Sequence, residues 1–340
     1  MLRNPGSPLL HDVPFQPSHV LDNGSNSASA VINVISYEPP TALKHGTASC
    51  KTNPQGPIAN AIGGLQFEMD VRSVGALRIA LALLTLHDLY IRATDTMDWM
   101  AVGPGPHLLD PADTPHHAPI HAQLFARGSY LGAYLHLLLC AVLAVLLLVG
   151  KWRPQRCAAL LYFAMACLQA KTQHFHDGSD KLLRHMLAWS AFLPLGVRFI
   201  PSEDKSIAPA GDVLVRGVGV AGLQLQLLCM YWSLLSRRHG SKWYGPDFSA
   251  IYYILMNPFI GGAWGKALAQ NLPELCRVLT ALSMFAEFLA PLVGALAPAT
   301  RWWRILPAVA LTGLHLGIYL TTNLTNFPLL AMACNLVYIP

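Results

Sequence analysis

Few side chains in this 340-residue sequence could do chemistry, and the most notable stand where charge is costly. Glu287 lies inside the apolar run FAEFLAPL, and His315 lies inside LTGLHLGIY. An ionisable group within a membrane-length apolar run normally faces an interior cavity or a partner, so both are candidates for function, with a structural lock between helices as the alternative. Asp88 and Arg92 are four residues apart in HDLYIRATD and share a helix face, which suits a structural pair. A third group follows CMYWSLL: Arg237, Arg238, His239 and Lys242, flanked by Tyr231, Trp232 and Trp243. Cations beside tyrosine and tryptophan are the usual dress of a membrane interface. Two histidine groups complete the inventory: His107, His116, His117 and His121, then His174, His176, Asp177 and Asp180. Imidazoles and carboxylates are metal ligands. Solvated loop histidines are the simpler account, and the prolines of HHAPIH oppose a regular helix, so no metal is expected.

The elements that must position these groups follow from composition. Charged residues make up 12% and hydrophobic residues 53%, and the mean hydropathy is +0.39. A soluble chain of this size needs a charged surface, whereas a lipid-facing helix needs none. The net charge of +5 is spread along the chain without a basic block, which argues against nucleic acid as a partner. Cysteines fall mostly in apolar runs without CxxC spacing and read as small membrane-core residues.

The expected fold is all-α: a polytopic transmembrane helix bundle of about 7–8 spans, preceded by a disordered N-terminal tail over residues 1–70. The tail is rich in Pro, Ser, Asn and Gly and lacks helical periodicity, and no signal-peptide core follows Met1. The membrane domain covers residues 71–340, with runs at Val74–Tyr90, Ser129–Gly150, Cys157–Ala170, Leu182–Ile200, Val213–Ser236, Cys276–Ala297, Ile305–Leu320 and Phe327–Pro340. FSAIYYILMNPFIGG, residues 248–262, is too short to span and reads as interfacial or re-entrant. KWRPQR and RWWR carry cations without acids and are expected in the cytoplasm, with the tail. Residues 91–127, 171–181 and 237–274 then face the lumen or exterior.

Six stretches in order resemble the HTTM (horizontally transferred transmembrane) family, the membrane part of vitamin K-dependent gamma-carboxylase. They are HDLYIRATD, SYLGAYLHLLLCAVLAVLLLVGKWRPQR, HDGSDKLLRHMLAWSAFLPLG, YWSLLSRRHGSKWYGPDFSAIYY, FAEFLAPL and LHLGIYLTTNLTNFPLLAMA, and together they cover roughly residues 74–340. The resemblance implies a helix bundle with an active site open to the lumen. It also implies vitamin K hydroquinone, or another reduced quinone, as cosubstrate. In the carboxylase a lysine at the end of a YF-x-AG-x-x-K helix deprotonates the hydroquinone, which reacts with oxygen to give the base that serves glutamate carboxylation. Such a lysine must be neutral to act.

At that position, seven residues after Tyr231 and five before Trp243, this chain carries Arg238. A guanidinium keeps its proton and suits binding an anion or a carboxylate. Lys242 and His239 are the substitute bases, and Arg238, Lys242 and His239 are together the candidate catalytic residues. Tyr231, Trp243, Asp180, Glu287 and His315 are the expected cavity residues. Carboxylase and epoxidase activity therefore stands as an open question. The alternative is a non-catalytic carrier or a lipid- or partner-binding member of the family. The sequence ends at LVYIP without the large luminal region that recognises protein substrates in the animal carboxylase, so the expected partners are membrane lipid and a small apolar ligand. The expected location is integral to a membrane, the endoplasmic reticulum in a eukaryote and the plasma membrane otherwise.

Overall fold

The computed structural model describes residues 67–94, 130–170, 178–197, 199, 214–296 and 302–339. They are mostly helical. Strand β1 (Glu68–Asp70) leads into α1 (Val71–Thr94), followed by α2 (Tyr130–Val149), α3 (Pro154–Ala170) and α4 (Gly178–Ser190). Strand β2 (Leu214–Arg216) precedes α5 (Val218–Ser236), and the short helices α6 (Ser241–Tyr244), α7 (Ala250–Met256) and α8 (Ala263–Asn271) follow. Next come α9 (Pro273–Leu296), α10 (Ile305–Thr321) and α11 (Asn326–Cys334).

Among the described residues, four helices, α1, α2, α5 and α9, are long and apolar enough to cross a membrane. At 1.5 Å per residue the 24 residues of α1 and α9 reach about 36 Å, beyond the ~30 Å hydrocarbon core. Helix α2 has the highest mean hydropathy, 2.6, and its exposed face repeats Leu131, Leu135, Leu138, Val142 and Val145 at steps of three and four. A face with that period and no polar residue has no use for water.

The other expected spans fold as helices of 17, 13, 17 and 9 residues, α3, α4, α10 and α11. The run Leu182–Ile200 is not one helix. Helix α4 ends at Ser190, and turns containing Pro194 follow, because proline disfavours helix at the residue before it and cannot donate to the ladder. The run 248–262 divides into α7 and a turn that leads to α8.

Helices α1, α2, α3 and α4 pack in sequence, α9 packs on α5 and α10, and α11 returns the chain to α1 and α4. One apolar cluster joins these layers through Leu77, Leu147, Leu161, Met186, Leu223, Leu311 and Val337. A smaller one, Leu255, Ala269 and Cys276, ties α7 and α8 to α9.

Two sequence expectations are corrected here. Residues 68–70 were assigned to the tail, yet β1 pairs antiparallel with β2, Glu68 opposite Arg216 and Asp70 opposite Leu214, and all three of its residues are buried. Arg304 was counted as a loop cation. It is fully buried, and its guanidinium donates to the carbonyls of Glu68, at 2.6 Å, and Val337, at 3.3 Å. Gln224 Nε2 donates to the same Glu68 carbonyl, and the Glu68 carboxylate pairs with Arg216. Four separate segments thus meet around one strand residue. Residues 1–66 and Arg301 lie outside the described residues.

Candidate functional site

Helix α5 stops at Ser236, and the chain turns through Gly240 at φ 89°, a left-handed conformation that glycine adopts without strain. The turn brings Arg238 and Trp243 back against α9. It is pinned by Tyr244 Oη donating to the Leu235 carbonyl at 3.0 Å and by Ser241 Oγ donating to Asp247 at 2.7 Å. Trp232, stacked on Phe288, donates to the Phe288 carbonyl at 3.1 Å and fixes α5 on α9 just before the turn.

Arg238 meets Glu287 there. Arg238 Nη2 donates to Glu287 Oε1 at 3.0 Å, and Nη1 lies 2.8 Å from Oε2 as an ion-pair contact without hydrogen-bond geometry, which leaves Oε2 buried with no donor among the described residues. Nη1 also lies 3.2 Å from the Met284 sulfur, and the guanidinium sits 4.3 Å from the centre of the Trp243 ring. Glu287 is buried, and Arg238 is largely so. The carboxylate that Arg238 binds therefore belongs to its own chain.

The pair borders a cavity of about 290 Å³, at the lower end of the range for small-molecule sites. On α9, Leu279, Ser283 and Glu287 stand four apart on one face. On α10 the opposing wall is Gly313, Gly317 and Thr321, again four apart. Ile251, Leu255 and Leu268 of α7 and α8 close one side, and Phe327 lies at the start of α11. Apart from the ion pair and three hydroxyls, the side chains are apolar or aromatic.

The other expected site residues divide around this cavity. Tyr231 and His315 are buried beside it, not in its wall, with Tyr231 Oη 2.8 Å from His315 Nε2. His315 also packs edge-on against Phe327 at 5.5 Å between ring centres. Lys242 places its ammonium 3.8 Å from the centre of the Tyr253 ring, and neither Lys242 nor His239 lines the cavity. Asp180 belongs to a separate cluster. It accepts from Arg92 and from Gln169 Nε2, at 2.9 Å for the latter, while Arg92 Nε donates to Asp88 at 2.8 Å. Asn326 Nδ2 reaches Asp88 at 3.4 Å, so the cluster joins α1, α3, α4 and α11.

Reading the sequence overlooked Ser283, Gly313, Gly317 and Phe327. The four-residue spacing of the two glycines in LTGLHLGIY was a signal that one face of that helix is bare. His107, His116, His117, His121, His174, His176 and Asp177 lie outside the described residues. Among the described residues no three His, Cys, Asp or Glu side chains come together as a metal group.

Compared with protein-family models, curated proteins and solved structures, the chain matches none.

Proposed function

We propose that this chain is a polytopic membrane protein of the gamma-carboxylase-like, HTTM type, and that its cavity binds a small apolar ligand such as a reduced quinone. The observation that carries this reading is an apolar cavity walled by two adjacent helices, with one ion pair, Arg238 and Glu287, as its polar pole. The reading takes the shorter helices α3, α4, α10 and α11 as further passes beside the four long ones, for 7–8 in all. The tail and KWRPQR then face the cytoplasm, and the cavity opens toward the lumen. Helices α7 and α8 lie at the interface. Only Lys266 is charged between residues 248 and 272, while Phe259 and Trp264 are 87% and 81% exposed.

The residues present fit a quinone ring as ligand better than as reactant. When bound, a reduced quinone supplies electrons and phenolic protons, and a proton acceptor is needed beside it. Arg238 is a donor only, Lys242 is turned to Tyr253, and the one carboxylate among the lining residues described, Glu287, is held as an anion by Arg238, so it suits accepting a hydrogen bond more than removing a proton. This geometry favours the second reading, a binding or carrier protein, over a carboxylase, because the group at the lysine position is already engaged by Glu287.

Oxygen-dependent epoxide formation and saturable binding of vitamin K hydroquinone by purified protein test both readings, with Arg238→Lys and Lys242→Ala alongside the natural chain. Binding without epoxide is expected in the natural chain. Epoxide that disappears in Lys242→Ala would establish an enzyme with a displaced base. Absence of saturable binding would sink the ligand reading.

A further inference from the structure

Among the described residues, Arg238 and Glu287 are the only charged ones lining the cavity, and they cancel each other. Its hydroxyls are also committed. Ser283 Oγ donates to the Thr280 carbonyl at 2.8 Å, Thr321 Oγ1 to the Gly317 carbonyl at 2.7 Å, and Thr322 Oγ1 to the Ile318 carbonyl at 2.8 Å. A hydroxyl whose proton is given to its own helix offers a ligand only lone pairs. The α10 wall is bare as well, since a Cβ built on Gly313 or Gly317 meets nothing within 4 Å. Two such positions one turn apart leave a strip of backbone against which a flat group can lie.

We infer that this cavity, on the reading that it binds an apolar ligand, selects a flat, uncharged head group bearing a hydroxyl or carbonyl and rejects the anionic counterpart. A carbonyl can accept one of the guanidinium N–H groups that Glu287 does not use, and a hydroxyl can donate to the oxygen of Ser283 or of Glu287. Neither requires the ion pair to open. An anion would have to draw Arg238 away from Glu287 and leave that carboxylate buried without a counter-charge, or else enter beside it as a second negative charge. Both routes are costly where the remaining lining is apolar.

The test uses the full chain in detergent micelles and two probes with the same ring: 2-methyl-1,4-naphthoquinone, which is neutral, and 1,4-naphthoquinone-2-sulfonate, a permanent anion. Equilibrium binding is corrected for micelle partition with Gly317→Leu, whose side chain enters the open volume and is expected to abolish the saturable component. The neutral probe is expected to bind at least about tenfold tighter than the sulfonate, the scale of a lost charge-assisted hydrogen bond. Glu287→Gln frees the guanidinium and should shrink or reverse that ratio. The double variant Arg238→Gln/Glu287→Gln, neutral throughout, should still prefer the neutral probe and carries the test if Glu287→Gln does not fold. Sulfonate binding as tightly as the neutral probe in the natural chain overturns the selectivity and leaves the ligand-binding reading standing. Saturable binding of neither probe overturns both.

Discussion

Gly265 and Gly317 sit in neighbouring helices, and replacing each by alanine should move stability in opposite directions. Gly265 is buried where α8 crosses the end of α10, and a Cβ there would lie 2.1 Å from the Thr321 carbonyl oxygen and 2.8 Å from Leu255 Cδ2. The leucine can rotate, but the carbonyl is helix backbone. Relief requires α8 to withdraw by more than an ångström, a movement opposed by Gly262 N donating to the same carbonyl at 3.0 Å and Asn323 N to Ile260 at 2.8 Å. Overpacking of this kind costs about 1–3 kcal/mol or more, against the ~1 kcal/mol that alanine gains over glycine in a helix. Gly317→Ala receives that gain with no contact to repay, since its Cβ meets open space. Thermal unfolding in one detergent, followed by tryptophan fluorescence, should show Gly265→Ala melting lower and Gly317→Ala higher than the natural chain. The expected shift is about 2–4 °C per kcal/mol on the scale of mid-sized domains. Gly265→Ala melting at or above the natural chain would refute the close approach of α8 to α10. Gly317→Ala melting below it would refute the open wall.

Tyr231→Phe leaves His315 Nε2 buried without its hydroxyl partner and should cost about 1–3 kcal/mol, while the added change His315→Leu should recover part of that loss. Additive losses in that double-mutant cycle, read by thermal unfolding, would show that the contact carries no energy. Trp264, 81% exposed at the start of α8, should be quenched strongly by lipids brominated near the headgroup in reconstituted protein. Efficient quenching by aqueous iodide, with none from the lipid, would place α8 in water. Separating a single tryptophan from the eight in the chain requires a Trp264→Phe difference measurement.

Periodicity and charge scarcity made the long helices legible, and α2 most of all, since an uncharged run of this length has few other uses. The pairing of Asp88 with Arg92 could be read from spacing alone because it closes within one helical turn. The meeting of Arg238 with Glu287 could not, because their 49-residue separation passes through three short helices whose crossing decides it. Asp180 was placed at the wrong end of that problem: it stood out as an acid near a cluster of histidines, whereas its partners are Arg92 on α1 and Gln169 on α3. Strand β1 escaped notice because three residues carry no period, and its place depends on the Glu68 carbonyl accepting from Arg304, 236 residues away. Arg304 itself looked like a topology signal, because hydropathy counts a cation without seeing what it donates to.

The treatment of buried charge separates the cavity from the scaffold. Arg304 donates to backbone carbonyls, as does Arg78, which reaches the carbonyls of Leu147 and Phe199. Arg92 is held between Asp88 and Asp180, beside a void of about 10 Å³ that holds no more than a water molecule. Those arrangements join distant segments and leave no room for anything else. Arg238 and Glu287 are also paired, with the second carboxylate oxygen left without a donor among the described residues, and their pair faces a volume large enough for a small molecule. A buried ion pair contributes little stability over an apolar pair of the same shape. If locking α5 to α9 were its sole use, the stacked Trp232 and Phe288 beside it would already serve. Placing the pair at the edge of an apolar cavity instead creates polarity without net charge, which is what a neutral head group on an apolar body requires.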